Sequence, residues 1–160
     1  MDRKTMTIAI GTDHGGFKLK ALLIRRLKSA RHQVKDLGTF SPEPCDYPVI
    51  GAKVAEAVSR RRAHRGVLLC RSGGGMAIVA NKFFGIRAVV CQTPASARHA
   101  REHNDCNILV LGAEGMSGAK ALAVLSAWLK TSFAGGRHAR RVRQILQIEK
   151  EIHARSAKAR

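Results

Sequence analysis

Short apolar runs alternate with longer segments that carry apolar residues at helical spacing along most of the chain. Apolar β-branched runs that end near glycine predict buried strands, and apolar residues three or four positions apart predict helices that pack on a core. The predicted strands cover residues 6–12, 32–38, 66–70, 86–91 and 107–112. The predicted helices cover residues 17–31, 49–62, 75–83, 94–104, 118–130 and 137–154.

The regular alternation of strands and helices predicts the fold class. Consecutive strands joined by helices form right-handed βαβ crossovers, which produce a parallel sheet covered by helices on both faces. We therefore expect an α/β protein, a three-layer α/β/α Rossmann-like sandwich around a five-stranded parallel sheet. A chain of 160 residues is long enough for one domain with a sizeable core. This domain is expected over residues 1–154, followed by a frayed basic tail over residues 155–160.

The last predicted helix has an apolar stripe but no strand after it. Val142, Ile145, Ile148 and Ile152 follow one another at core spacing. Either a second copy of the chain covers this stripe, or the helix packs on its own sheet. We expect a homodimer, or a tetramer, in which the C-terminal helix takes part in dimerisation.

The formal charge of +18 at pH 7 bears on the kind of partner. Such a balance often accompanies nucleic-acid binding. Here the basic residues are spread over separate segments, only one Trp and one Tyr are present, and no nucleic-acid-binding motif occurs. We therefore expect an acidic small molecule such as a sugar phosphate rather than a nucleic acid. A non-catalytic protein that binds anions or nucleic acid remains the alternative.

Targeting signals and cysteine spacing point to the cytoplasm. The first apolar run is too short for a signal peptide, and no later segment is long and apolar enough to span a membrane. The four cysteines stand on separate segments, without the spacing of a zinc site or a disulfide framework. We expect no metal, and we expect Cys45, Cys91 and Cys106 to be inert buried residues.

The stretch CRSGGG at 70–75 is the first candidate for chemistry, because a predicted buried strand runs directly into three glycines before a helix. Backbone N–H groups at such a helix start can hold an anion, and glycine allows a ligand to approach closely. The stretch is neither a P-loop nor a GxGxxG fingerprint. Cys70 could act there as a nucleophile or a general base. A simple tight turn with an inert cysteine is the alternative.

Further polar residues are expected beside this turn. Ligands of open parallel sheets bind beyond the C-terminal strand ends. We expect four short groups to emerge there, namely Asp13-His14, Asp46-Tyr47, Cys70-Arg71-Ser72 with Gly73, Gly74 and Gly75, and His103-Asn104-Asp105. Cations at a helix start oppose the helix dipole, so stability does not account for them. Arg137, His138 and Arg141 follow a double glycine in this way and suggest anion capture, with a solvated basic face as the alternative.

Seven short motifs together resemble one enzyme family. They are GTDHGGF near the N-terminus, DYP at 46–48, C-x-S-G-x-G at 70–75, ANK at 80–82, IRAVVC at 86–91, HND at 103–105 and GGRHxxRV at 135–142. The combination resembles the type B ribose-5-phosphate isomerases, a family that includes isomerases of allose, galactose and tetrose phosphates. The likeness runs from about Met6 to Glu151. It implies aldose–ketose interconversion without a metal or organic cofactor, by a dimer with its sites at the subunit interface.

The resemblance also implies roles for individual residues. Cys70 corresponds to the base that moves a proton between C1 and C2, and His103 with Asp13 to the group that opens the furanose ring. The oxyanion donors would be the backbone of Ser72, Gly73 and Gly75, assisted by Asn104. His14, Arg137 and Arg141 match phosphate-binding positions of the family, and Tyr47 matches a residue that lines the sugar site. Beside these, we expect further substrate contacts from Arg71, Gly73, Gly74, Gly75 and His138.

One position departs from the family pattern. The family often has an arginine after the fifth strand as a phosphate ligand, and Glu114 stands there in this chain. Arg71 replaces a frequent glycine, and we expect it to supply the missing positive charge. Ribose 5-phosphate and ribulose 5-phosphate are the expected substrate pair, and another four- or six-carbon sugar phosphate is the nearest alternative.

Overall fold

The computed structural model describes residues 5–158 of the chain. Its strands are β1 (Thr7–Thr12), β2 (Gln33–Asp36), β3 (Arg65–Cys70), β4 (Ala88–Val90) and β5 (Ile108–Gly112). Its helices are α1 (Phe17–Ser29), α2 (Tyr47–Ser59), α3 (Gly74–Ala80), α4 (Pro94–Asn104), α5 (Gly118–Lys130) and α6 (Gly136–Lys158), and a 3₁₀ turn covers His14–Gly16. The predicted alternation of strands and helices is confirmed.

The five strands form one parallel sheet in the order β2-β1-β3-β5-β4. The chain leaves β1 for β2 on one side and then crosses to β3 on the other side of β1. The order of strands therefore reverses between β1 and β3. In an open parallel sheet this reversal opens a crevice at the C-terminal strand ends, where ligands bind. Asp13 follows β1 and Cys70 ends β3, so both lie at that crevice.

Two hydrophobic clusters cover the two faces of the sheet and confirm the three layers. Ile8 and Ile10 of β1 face the layer formed by α1, α4 and α5. Ala9, between them, faces the layer formed by α2 and α3. This alternation follows from the two-residue repeat of a strand, in which successive side chains point to opposite faces. Within residues 5–158, no helix is long and apolar enough to cross a membrane.

Helix α6 lies outside both layers and is mostly exposed. Val142 is buried, but Ile145, Ile148 and Ile152 are 49%, 58% and 57% exposed. The helix does not cover this stripe on its own sheet. It contacts α4, and the Glu149 carboxylate accepts a hydrogen bond from the N–H of Gly85 at 2.9 Å. The stripe is therefore open to a partner.

The predicted end of the last helix is wrong. α6 continues past Ala154 to Lys158, so residues 155–158 are helical rather than frayed. No glycine or proline follows Gly136, and the alanine, lysine and arginine residues of this segment favour a helix. Residues 159 and 160 lie outside the described part of the chain.

Two local expectations also need correction. Tyr47 does not lie in a loop but is the first residue of α2, because Asp46 takes the N-cap position and proline follows in the first turn. Cys45 is half-buried in the preceding loop, whereas Cys91 and Cys106 are fully buried as expected. Cys45 packs against the rim of the cluster between the sheet and the layer of α2 and α3 without entering it, because the loop that carries it lies at the surface.

Candidate active site

The glycine turn after β3 folds back onto the sulfur of Cys70. The N–H of Gly73 donates to Cys70 Sγ at 3.1 Å, and the N–H of Gly74 donates to Ser72 Oγ at 3.3 Å. Gly73 has φ of +84°, in the left-handed region that glycine adopts without strain. A Cβ there would also lie 3.2 Å from the backbone nitrogen of Gly112. The turn thus places an N–H donor directly on the sulfur, and Cys70 itself is only 5% exposed.

The third glycine of the turn supports an aromatic ring. A Cβ on Gly75 would lie 2.5 Å from Cε2 of Tyr47, so the tyrosine ring rests against the glycine backbone. Gly74 is different, because the nearest atom to its Cβ position is Ser72 Oγ at 3.7 Å. Two of the three glycines are therefore required by geometry, one by its backbone angle and one by the contact with Tyr47.

The end of β1 meets the same turn. Asp13 is buried, and its Oδ1 accepts a hydrogen bond from the N–H of Gly15 at 2.9 Å. The Nδ1 of His14 accepts from the N–H of Cys45 at 3.3 Å. Neutral His14 therefore carries its hydrogen on Nε2, which is left as a donor. A Cβ on Gly15 would lie 3.3 Å from the nitrogen of Arg71, so the loops after β1 and β3 touch.

A cavity of about 350 Å³ lies where these loops meet, lined by His14, Gly15, Arg71, Ala113 and Glu114. Arg71 Nε and Glu114 Oε1 form an ion pair at 3.1 Å across one wall. The guanidinium of Arg71, which we expect to supply positive charge to this part of the site, is therefore paired with the carboxylate of Glu114 in this structure.

The other predicted site residues lie at the opposite edge of the sheet. α4 runs back from β4 to the start of β5, so His103 and Asn104 at its end lie beside the N-terminal strand ends. Arg87, just before β4, donates to the carbonyl oxygens of Asn104 and Asp105 at 3.0 and 2.9 Å. Because a strand rises about 3.3 Å per residue, the length of β3 separates the edges by roughly 16 Å.

The expectation that His103 and Asn104 emerge beside Cys70 is therefore wrong within one chain. The structure also leaves His103 far from Asp13, with which it was expected to act. The direction of the chain gives the reason, since a helix between two parallel strands must end at the edge where the next strand begins. That signal was present in the order of the predicted elements.

The residues at this second edge form a cationic cluster. The rings of His103 and His138 are stacked, with their centroids 4.1 Å apart and 7° between their planes. The ring of His99 meets that of His103 edge-on, with the centroids 3.9 Å apart. Arg137 Nε lies 3.5 Å from His138 Nε2. The pKa of His138 is lowered, chiefly by partial burial of its ring. Positive charge on neighbouring side chains adds to this effect, from His103, Arg137, Arg141 and His99 in that order. Sequence reasoning missed His99, although it lies one helical turn before His103.

The described residues thus form two half-sites. One contains Asp13, His14, Tyr47, Cys70, Arg71, Ser72, Gly73, Gly74 and Gly75, and the other contains His103, Asn104, Arg137, His138 and Arg141. Among residues 5–158, no three His, Cys, Asp or Glu side chains are arranged to hold a metal ion. The first half-site offers a sulfur with nearby N–H donors, and the second offers imidazoles and guanidinium groups.

Comparisons with known proteins agree with this arrangement of motifs. Residues 8–145 match the model of the family described as Ribose/Galactose Isomerase. The chain is 44% identical over 142 residues to ribose-5-phosphate isomerase B of Escherichia coli K12, covering 89% of this chain and 95% of that protein. It is 41% identical to ribose-5-P isomerase B of Listeria innocua, covering 91% and 99% of the two chains.

Solved structures give the same result. Ribose-5-phosphate isomerase B of Clostridium thermocellum superimposes with a TM-score of 0.89 and 48% identity, covering 92% of this chain and 99% of that chain. The Mycoplasma genitalium enzyme, solved with bound ribulose-5-phosphate, superimposes with a TM-score of 0.88 and 33% identity, covering 91% of this chain and 97% of that chain. The sequence resemblance to type B ribose-5-phosphate isomerases is confirmed, and the chain belongs to the ribose/galactose isomerase family.

Proposed function

We propose that the protein interconverts ribose 5-phosphate and ribulose 5-phosphate, with Cys70 as the base. The contact that carries this proposal is the hydrogen bond from the N–H of Gly73 to Cys70 Sγ at 3.1 Å, in a turn beside the cavity that His14, Arg71 and Glu114 line. It pairs a proton acceptor with donors for negative charge. The relatives named ribose-5-phosphate isomerase B, and the related structure with bound ribulose-5-phosphate, support this substrate pair.

The reaction moves one proton between neighbouring carbons. The Cys70 thiolate removes the proton from C2 of the open-chain aldose, and the C–H electron pair forms the C1–C2 double bond of an enediolate. Negative charge then develops on O1, where N–H groups of the turn at 72–75 can stabilise it. Transfer of the O2 proton to O1, together with return of the carbon-bound proton from Cys70 to C1, forms the C2 carbonyl and the C1 hydroxyl of the ketose. A base whose pKa lies near the working pH suits both directions.

The two half-sites lead us to propose that the active unit is a dimer with shared sites. A phosphorylated pentose is too short to bridge edges separated by roughly 16 Å, the length of a six-residue strand. A second copy that brings His103, Arg137 and Arg141 to the Cys70 edge of the first would complete the site. His103 would then open the sugar ring, and the arginines would hold the phosphate. The exposed isoleucines of α6 support such an association.

Complementation between inactive variants tests the shared site. We expect Cys70→Ala and His103→Ala to be inactive separately. When the two are co-expressed, half of the dimers are mixed and each mixed dimer has one intact site, so about a quarter of wild-type activity returns. Co-expression of Cys70→Ala with the Cys70→Ala/His103→Ala double variant is the matched control and restores nothing. No recovery in mixed dimers, confirmed by two affinity tags, would show that each chain carries its own complete site.

Substrate choice is tested separately. The wild-type protein is assayed with four-, five- and six-carbon aldose phosphates, and exchange of the C2 hydrogen with solvent is followed for each. We expect the highest kcat/KM for ribose 5-phosphate, and a higher value for another sugar phosphate would replace it as the substrate.

The four cysteines are free thiols in the structure, which supports the reducing cytoplasm as the expected compartment.

A further inference from the structure

Opposite charges face each other on one wall of the cavity at the Cys70 edge. Arg71 Nε and Glu114 Oε1 lie 3.1 Å apart, and both side chains are largely exposed. Their positions are fixed by the backbone, because the N–H of Ala113 donates to the carbonyl oxygen of Cys70 at 2.8 Å. The N–H of Glu114 likewise donates to the carbonyl oxygen of Arg71 at 3.0 Å. These bonds continue one residue past the end of β3 and two residues past the end of β5, so the backbones of Arg71 and Glu114 lie side by side.

The ion pair uses only part of the guanidinium. Arginine has five N–H donors, and the hydrogen bond to Glu114 engages the N–H of Nε. His14 offers a further donor in the same cavity through Nε2. A phosphate dianion accepts hydrogen bonds only, so it is attracted by Arg71 and His14 and repelled by the carboxylate of Glu114. The cavity therefore contains a carboxylate in direct contact with one of the two donors that a phosphate would use.

We propose that Glu114 is a built-in counter-anion that competes with the phosphate of the substrate for Arg71. This inference rests on the proposed function for the identity of the substrate. On binding, the contact between Arg71 and Glu114 is exchanged for one between Arg71 and phosphate. An exposed ion pair is weak, whereas a bidentate contact between arginine and phosphate is strong, so the exchange favours the ligand. Glu114 thus lowers the affinity for the phosphate group without touching the reacting carbons.

The first test replaces the carboxylate. We expect Glu114→Gln to lower the KM for ribose 5-phosphate and the inhibition constant of inorganic phosphate by about two- to fivefold, the range that follows from the strength of exposed pairs. The effect on KM should exceed the effect on kcat. Glu56→Gln is the matched control, because Glu56 also forms exposed ion pairs, with Arg60 and Arg62, and lies outside this cavity. If both variants change KM equally, the effect is only one of net charge and the proposal is wrong.

A double-mutant cycle tests whether Glu114 acts through Arg71. Arg71→Gln should raise the KM in the wild-type background, and in this variant Glu114→Gln should lower the KM by much less than it does alone. Equal effects in both backgrounds would show that Glu114 repels the phosphate directly, and the competition for Arg71 would be refuted. Both side chains are exposed, so these variants are expected to fold, and thermal unfolding checks this.

Direct binding separates this inference from the proposed function. Calorimetric titration of wild-type protein, Glu114→Gln and Glu56→Gln with inorganic phosphate needs no turnover. If Glu114→Gln alone binds inorganic phosphate more tightly and no pentose phosphate is isomerised, the role of Glu114 as a counter-anion is supported and the proposed reaction is refuted. Turnover of ribose 5-phosphate, together with unchanged phosphate affinity in Glu114→Gln, would uphold the reaction and refute the counter-anion.

Discussion

Two neighbouring glycines of α3 provide a matched pair for testing how the glycine turn is built. Gly74 and Gly75 both belong to the helix, and neither has a positive φ. They differ in what a methyl group would meet. At Gly74 the nearest atom is 3.7 Å away, whereas at Gly75 the ring of Tyr47 lies at 2.5 Å. Alanine is therefore expected to be favourable at the first position and unfavourable at the second.

The size of the difference follows from two opposing effects. Replacing glycine by alanine inside a helix stabilises a protein by about 0.5–1 kcal/mol, because the unfolded chain loses conformational freedom. Gly74→Ala should therefore raise the free energy of unfolding by up to about 1 kcal/mol, which corresponds to about 2–4 °C in Tm. At Gly75 the ring must move by about 1 Å to reach an ordinary carbon contact distance. Overpacking of this kind costs about 1–3 kcal/mol.

Because Tyr47 is 38% exposed, its ring can turn outward, which places the cost at Gly75 in the lower part of that range. We therefore expect Gly75→Ala to be less stable than Gly74→Ala by about 1–2 kcal/mol. Thermal and urea unfolding measure both values. Adding Tyr47→Ala should remove most of the penalty of Gly75→Ala, and a cycle over the two positions measures this coupling. If Gly75→Ala is as stable as Gly74→Ala, the ring is not held against the helix and the role assigned to Gly75 is wrong.

Two further predictions concern ionisable side chains. Burial raises the pKa of Cys91 to about 12 and also raises the pKa of Cys106. Thiol labelling of the folded protein near pH 8 should therefore leave both cysteines unmodified. Mass spectrometry that finds either cysteine labelled would contradict this prediction. The pKa of His138 is lowered from its ordinary value of 6.5, so the unfolded chain binds this proton more tightly and stability falls as the pH drops below that value. His138→Gln should therefore lose less Tm than the wild type between about pH 7 and pH 5, and equal slopes for the two proteins would refute the assignment.

The order of elements could be predicted from the sequence because it depends on local patterns. The predicted limits of α4 and α5 coincide with those observed, since Pro94 suits a first helical turn and Ser117 caps the start of α5. Limits were less accurate where the signals conflict. The strand predicted over residues 86–91 contains only Ala88–Val90, although the N–H of Cys91, just beyond it, still donates to the carbonyl oxygen of Val110 in β5 at 2.9 Å.

The motifs predicted the candidate site as a set of residues, whereas its arrangement had to be inferred from the direction of the helices between the strands. Motifs along the chain identified Cys70, the glycines, His103 and the arginines after the double glycine. They did not show that these residues divide between two edges of the sheet. That division is a consequence of chain direction, which places the end of α4 roughly one strand length from the end of β3.

The sequence by itself determined the parallel sheet, its two helical layers and the residue types available for chemistry, because the periodicity of apolar residues specifies burial. Only the tertiary structure decided which side chains form ion pairs, ring stacks and close contacts with one another. The pairing of Arg71 with Glu114, the contact of Tyr47 with Gly75 and the stacking of His103 on His138 join residues from different elements. Such contacts depend on how the elements are placed in space, and no local pattern along the chain encodes that placement.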